Sequence, residues 1–188
     1  MKVDLRKKLL QTRSRLSDAE ITLISEKITD TVLGLQTYQN AETVHCYLSI
    51  NKEISTTSLI NNLLRHNKRL VVPRVITGTN RMEHIALKDH DHLKPNAWGI
   101  AEPHGGTNVD IQQLDLVLVP MVGGDPKGNR LGYGKGFYDQ FLSGVKCPKI
   151  GLMPECCLVD QLPVEPHDVK LDMIITENTI FKKKINHS

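Results

Sequence analysis

The sequence predicts an α/β fold of three layers, αβα, with a mainly parallel central sheet. Four short apolar segments bounded by polar or turn residues read as strands buried on both faces: "TVHCYLS" (43–49), "RLVVPRVI" (69–76), "LDLVLVP" (114–120) and "PKIGLMP" (148–154). Helical patterns stand between them, among them "STTSLINNLLRHN" (55–67) and "KGFYDQFLSG" (135–144). Strand alternating with helix is the pattern of a parallel sheet covered on both sides.

The elements follow in order. Residues 3–16 set Leu5, Leu9 and Leu16 among basic residues, a helix with one narrow apolar stripe. "SDAE" then forms a capping box, Ser17 at the N-cap and Glu20 at the third helical position. It opens a helix whose Ile21, Ile24, Ile28, Val32 and Leu35 share one face. After the first two strands, "RMEHIAL" (81–87) and later "DMIIT" (172–176) are candidates for further strands, and "KKKINHS" is expected to be a solvated end. No repeat, linker or composition break divides the chain, so residues 1–188 are read as one domain.

Composition narrows the function classes. Hydrophobic content of 39% and charged content of 24% are those of a globular chain. No apolar run approaches the roughly 20 residues of a membrane span, and the charged N-terminus has no signal-peptide core, so a cytoplasmic protein is expected. The four cysteines, Cys46, Cys147, Cys156 and Cys157, have no metal-ligand spacing and read as free thiols. A net charge of +3 would suit a phosphate-bearing small molecule better than nucleic acid.

"GNRLGYGKGFYD" (128–139) concentrates glycines after a buried strand and before a helical pattern. It is neither a dinucleotide fingerprint, which would need glycine where Phe137 or Asp139 stands, nor a P-loop, which would need glycine at Asn129 and Ser or Thr at Gly136. The physical argument needs neither. Glycines let backbone amides approach phosphate oxygens, Arg130 and Lys135 add positive charge, and Asp139 could hold the Mg²⁺ that accompanies a nucleotide. A turn with solvated charges is the alternative.

"VPMVGGDPKGNRLGYGKGFYDQFL" (119–142) resembles the signature of the 5-formyltetrahydrofolate cyclo-ligase family, roughly V-P-x-x-x-x-D-x-x-G-x-R-L-G-x-G-x-G-[YF]-Y-D. "KVDLR" (2–6), "YLSINKEIST" (47–56), "NAWGIAEP" (96–103) and "HDVKLDMIITE" (167–177) are similar to the family's other segments, in order. The chain departs from it at Gly123-Gly124, where members often carry Ala-Phe, a change expected to loosen the wall beside the folate.

The resemblance implies a NagB/RpiA/CoA-transferase-like fold and an ATP- and Mg²⁺-dependent cyclisation of 5-formyltetrahydrofolate to 5,10-methenyltetrahydrofolate, through a phosphorylated formyl group, releasing ADP and phosphate. It assigns ATP to the segment Lys2, Val3, Asp4, Leu5 and Arg6, and to Arg130, Leu131, Gly132, Tyr133, Gly134, Lys135, Gly136, Phe137 and Tyr138. The folate falls to Leu48 and Glu53, with Glu53 on the polar edge of the pterin, and to Tyr133, Gly134, Lys135, Gly136 and Phe137. Trp98 is added as an aromatic wall, a packing tryptophan being the alternative.

Asp139 and Asp168 are the implied magnesium ligands, with Asp172 a substitute or helper for Asp168. Arg130 and Lys135 would act catalytically by surrounding the transferred phosphoryl group with positive charge. The implied partner is a small-molecule folate, not nucleic acid or membrane, and the chain is expected to be a monomer or weak dimer. Two other readings stay open: a sugar-phosphate isomerase or CoA-transferase-like enzyme on the same fold, and a nucleic-acid-binding protein. His90-Asp91-His92 reads as a solvated loop before it reads as a metal pair.

Overall fold

The computed structural model describes residues 1–88, 93–95 and 101–183. Trp98, His90-Asp91-His92 and the last five residues lie outside that set.

Helix α1 (Lys2–Ser14) is followed by α2 (Asp18–Gly34), and the capping box forms as expected. The Ser17 hydroxyl accepts from Glu20 N at 3.2 Å and the Glu20 carboxylate accepts from Ser17 N at 2.7 Å. Ser17→Ala is therefore expected to cost ~1 kcal/mol in urea unfolding, with the slope of the transition unchanged.

The short α3 (Gln36–Asn40) leads into β1 (Thr43–His45), then α4 (Thr57–Arg65), β2 (Arg69–Val75) and β3 (Met82–Leu87). A small hairpin, β4 (Leu93–Pro95) with β5 (Ala101–Pro103), and β6 (Thr107–Asn108) precede β7 (Leu116–Pro120). A second hairpin, β8 (Gly123–Gly124) with β9 (Arg130–Leu131), leads to α5 (Phe137–Ser143). The chain closes with β10 (Lys149–Leu152), β11 (Met173–Ile175) and β12 (Ile180–Lys182).

Among the described residues one eight-stranded sheet runs in the order β12-β11-β10-β7-β1-β2-β3-β6. Its five central strands, β11 to β2, pair in parallel, and the antiparallel pairs lie at the edges. Alternation along β7 sorts the core. Leu116 and Leu118 pack with Ile28 and Val32 of α2 and Leu59 and Leu63 of α4 on one face, while Val117 and Val119 pack with Phe141 and Leu142 of α5 on the other. These are the two helical layers expected of a sheet buried on both sides.

Two expectations are corrected. The predicted strand 43–49 pairs only over 43–45, because the chain then leaves the sheet and folds back on itself: Tyr47 Oη donates to Ile54 O at 2.9 Å and Thr56 Oγ1 donates to Tyr47 O at 2.7 Å. Gly123-Gly124 does not loosen a wall. A Cβ on Gly123 would stand 2.4 Å from Leu9 Cδ1 and 2.8 Å from Cys157 O, and one on Gly124 would stand 2.5 Å from Met121 Cε. The pair lets α1 and its neighbours approach the hairpin closely. Cys156 and Cys157 share one 3-10 turn, with Cys157 buried in the core and all four cysteines reduced.

Candidate active site

β7, β1 and β10 end side by side, and the glycine segment follows the first of them as the β8–β9 hairpin and the loop into α5. Asp125 shapes the hairpin. Its fully buried carboxylate accepts from Lys127 N (2.9 Å), Asn129 N (3.1 Å), Asn129 Nδ2 (2.8 Å) and Leu162 N (2.9 Å), which satisfies its charge without a cation. Glycines are required further on. Gly134 and Gly136 have φ of +86° and +74°, and a Cβ on Gly134 would stand 3.0 Å from Arg6 Cζ.

α1 lies against this loop. Arg6 Nε donates to Gly132 O at 2.7 Å. Lys2 Nζ donates to Asp168 Oδ2 at 2.6 Å and to Glu165 Oε2 at 2.8 Å. Burial pulls the Lys2 ammonium toward neutrality, but the bonds to Asp168 and Glu165 outweigh it and leave its pKa raised. For Asp168, burial again opposes the charge, and the bonds from Lys2 and from Glu165 N hold its carboxyl below its usual value. Leu5 packs in the small apolar cluster beneath the loop, whereas Val3 and Asp4 stand exposed and Asp4 pairs with the N-terminal ammonium at 3.2 Å.

On the α5 side, Arg130 is buried. Its Nη2 donates to Asp139 Oδ1 at 2.6 Å, and its Cζ lies 5.7 Å from the centre of the Tyr138 ring. Lys135 is exposed and has no ion-pair partner among the described residues. Phe137 and Tyr138 are half-buried at the start of α5.

Asp139 and Asp168 line one cleft of about 850 Å³ together with Gly136, His167 and Asp172. Asp139 Oδ2 and Asp168 Oδ1 carry no hydrogen bond among the described residues, and ligand atoms of Glu165, His167 and Asp168 lie within 4.8 Å of one another. Asp139 is not part of that group, and within it Lys2 already holds Glu165 Oε2 and Asp168 Oδ2, so the oxygens of the cleft that suit a hard divalent cation are Asp139 Oδ2 and Asp168 Oδ1. Asp172 has another task as well: it accepts from Lys149 N at 2.9 Å and pairs with Lys149 Nζ at 3.3 Å, tying down the start of β10.

Glu53 reaches the opposite side of the loop. It is 6% exposed, and burial pushes its carboxyl pKa up. Three influences oppose that rise: a hydrogen bond from Tyr133 Oη to Oε1 (2.7 Å), one from Ile50 N to Oε2 (2.9 Å), and the charge of Arg13. Leu48, before it, is half-buried against the main core.

Sequence reasoning missed three residues here. Arg13 is considered below. His45 and His84 form an aromatic cluster with Tyr138 and Phe141, their own rings 5.2 Å apart. Both His45 nitrogens, His84 Nδ1, Arg130 Nε and Tyr138 Oη are buried without a hydrogen-bond partner among the described residues. Burial drives the His45 pKa well down and that of His84 to about 4, so both imidazoles are neutral at physiological pH. A lone histidine in an otherwise apolar strand, His45 in "TVHCYLS", was the available signal.

With this geometry in view, comparison with known proteins is specific. A sequence model of the 5-formyltetrahydrofolate cyclo-ligase family matches residues 1–177. The chain is 30% identical to the 5-formyltetrahydrofolate cyclo-ligase of Mus musculus over 93% of each chain, and 31% identical to that of Haemophilus influenzae over 89% of this chain and 92% of the other. In structure it is similar to Aquifex aeolicus 5,10-methenyltetrahydrofolate synthetase, with a TM-score of 0.89, 32% identity and coverage of 100% of this chain and 95% of that one. It is also similar to the 5,10-methenyltetrahydrofolate synthetase of Mycoplasma pneumoniae, with a TM-score of 0.76, 30% identity and coverage of 94% and 98%. A match over nearly the whole length, in sequence and in fold, places the chain in the 5-formyltetrahydrofolate cyclo-ligase family.

Proposed function

We propose that this enzyme, a single domain, cyclises 5-formyltetrahydrofolate to 5,10-methenyltetrahydrofolate at the expense of ATP and with Mg²⁺, releasing ADP and phosphate. The observation that supports this most is that one glycine segment is bonded to basic α1 on one side and to buried Glu53 on the other. A triphosphate and a polar heterocycle would then meet at a single loop.

The chemistry accounts for the residue types. A formamide oxygen leaves poorly, so moving the γ-phosphoryl group onto it converts it to phosphate. N10 can then attack the activated formyl carbon, giving up its proton to solvent as the new C–N bond closes the ring, and the C–O bond to phosphate breaks with phosphate leaving. Such a transfer asks for position and positive charge rather than for a nucleophilic side chain.

Lys2, Arg6 and the loop amides at 132–136 would hold the phosphates. Arg130 and Lys135 would face the charge that develops on the transferred group, and Glu53 would accept from N–H groups on the pterin edge. Asp139 and Asp168 would hold Mg²⁺, whose chemical contribution when bound is to neutralise phosphate charge. Leu48 and Phe137 would give the folate apolar contact.

The test follows methenyltetrahydrofolate by absorbance, with 5-formyltetrahydrofolate, ATP and Mg²⁺ together and with each omitted. Product only in the complete mixture, matched mole for mole by ADP, is expected. Product without ATP would overturn the reading.

A further inference from the structure

Lys2, Arg6, Leu9 and Arg13 follow one another along α1 at steps of four, three and four, which is one face of a helix. The face docks along its whole length. Lys2 meets Asp168, Arg6 meets Gly132, Leu9 fills the space over Gly123, and Arg13 ends the row.

Arg13 is only 3% exposed, although Lys7 and Lys8 of the same helix stand in solvent. A guanidinium is costly to bury unless its donors are used. Nη1 donates to Met121 O at 3.3 Å, Nη2 donates to Tyr133 Oη at 2.6 Å, and Cζ lies 5.6 Å from the centre of the Tyr133 ring.

The direction of the chain of bonds follows from the donors. A guanidinium cannot accept, so the phenol oxygen accepts from Arg13, and its one proton is committed to Glu53 Oε1 at 2.7 Å. Glu53 Oε2 is held by Ile50 N, which sits in the turn where Glu53 N donates back to Ile50 O at 3.1 Å. Both carboxylate oxygens are therefore oriented, each with a lone pair to spare.

We propose that Arg13 is a positioning residue which, through the Tyr133 hydroxyl, holds the Glu53 carboxylate in one orientation for the folate and ties it to the glycine loop. This rests on the reading of Glu53 as a folate-binding carboxylate.

The test is steady-state kinetics on the full chain, with circular dichroism to check folding, for Tyr133→Phe, Arg13→Met, their double variant, Arg13→Lys and Glu53→Gln. Each of the first two is expected to raise KM for 5-formyltetrahydrofolate about tenfold, the size of a lost hydrogen bond to a charged group. KM for ATP should stay within about twofold, and kcat should carry less of the loss than KM. The double variant should be no worse than the poorer single one, since both break the same chain. Arg13→Lys should recover part of the loss.

The acidic limb of kcat/KM should also move. Glu53 is surrounded by the Arg13 charge, the hydroxyls of Tyr47, Tyr133 and Tyr138, and Ile50 N. Without the Tyr133 hydroxyl, burial is less opposed, the carboxyl pKa rises, and the carboxylate is lost at higher pH as the solution is acidified.

Losses that multiply in the double variant, or KM for ATP rising as much as KM for the folate, would overturn the proposal. Glu53→Gln separates the two layers. If it raises the folate KM while Tyr133→Phe does not, the positioning role fails alone; if it leaves the folate KM unchanged, the reading of Glu53 fails. Should Arg13→Met not fold, Tyr133→Phe, which removes one oxygen, still decides.

Discussion

Arg130→Met is expected to lower kcat/KM about a thousandfold, within the range found for arginines that stabilise phosphoryl transfer, and also to destabilise the fold. The Arg130 side chain is 3% exposed and Asp139 is 28% exposed, with 2.6 Å between them. Methionine would fill much of the space under Tyr138 but would leave the Asp139 carboxylate without its cation. Breaking a buried pair costs about 3–5 kcal/mol, and water reaching Asp139 brings the figure to the lower end, about 3 kcal/mol. Urea unfolding and steady-state kinetics on the same preparation would show both losses. Full stability with lost activity would mean that Asp139 relaxes into solvent and that the pair does little for folding. Full activity would remove Arg130 from the chemistry.

Lys135→Ala should separate the two effects. Lys135 is as exposed as Arg130 is buried, and no ion pair holds it among the described residues. Removing it should therefore leave the melting temperature within about 2 °C, as for surface substitutions generally. If its ammonium closes on the transferred phosphoryl group when substrates bind, kcat should fall about 10²-fold, the low end for losing one donor to the developing charge, because Lys135 is exposed beforehand. Stopped-flow or steady-state absorbance would measure it, with a thermal melt as control. A loss confined to KM for ATP would make Lys135 a nucleotide-binding residue instead of a catalytic one.

The layers of the fold were legible because local rules and the tertiary structure agree. Ser17 and Glu20 cap α2 through bonds that span three residues, and the alternation in "LDLVLVP" already separates the two faces that α2 and α5 cover. Strand length was less legible. "TVHCYLS" is largely apolar, yet past His45 the buried Cys46 and Tyr47 belong to a turn that closes on Ile54 and Thr56, and apolar content cannot tell that burial from a sheet's.

The site divides along the same line. The sequence by itself determined the αβα fold and the glycine segment with its arginine and lysine, which are matters of residue type and short spacing; Asp139 stood beside them as a candidate, and Glu53 and Asp168 were candidates only through the family resemblance. Only the tertiary structure decided that Gly123 and Gly124 are packed tight against Leu9 and Met121, that Asp139 is held by Arg130, and that Asp168 is held by Lys2. It also decided the burial of Arg13. On a basic helix that residue reads as one more solvated charge, and its partners at Met121 and Tyr133 lie 108 and 120 residues away. Burial of a charge depends on where such distant acceptors arrive, and no periodicity within a helix carries that information.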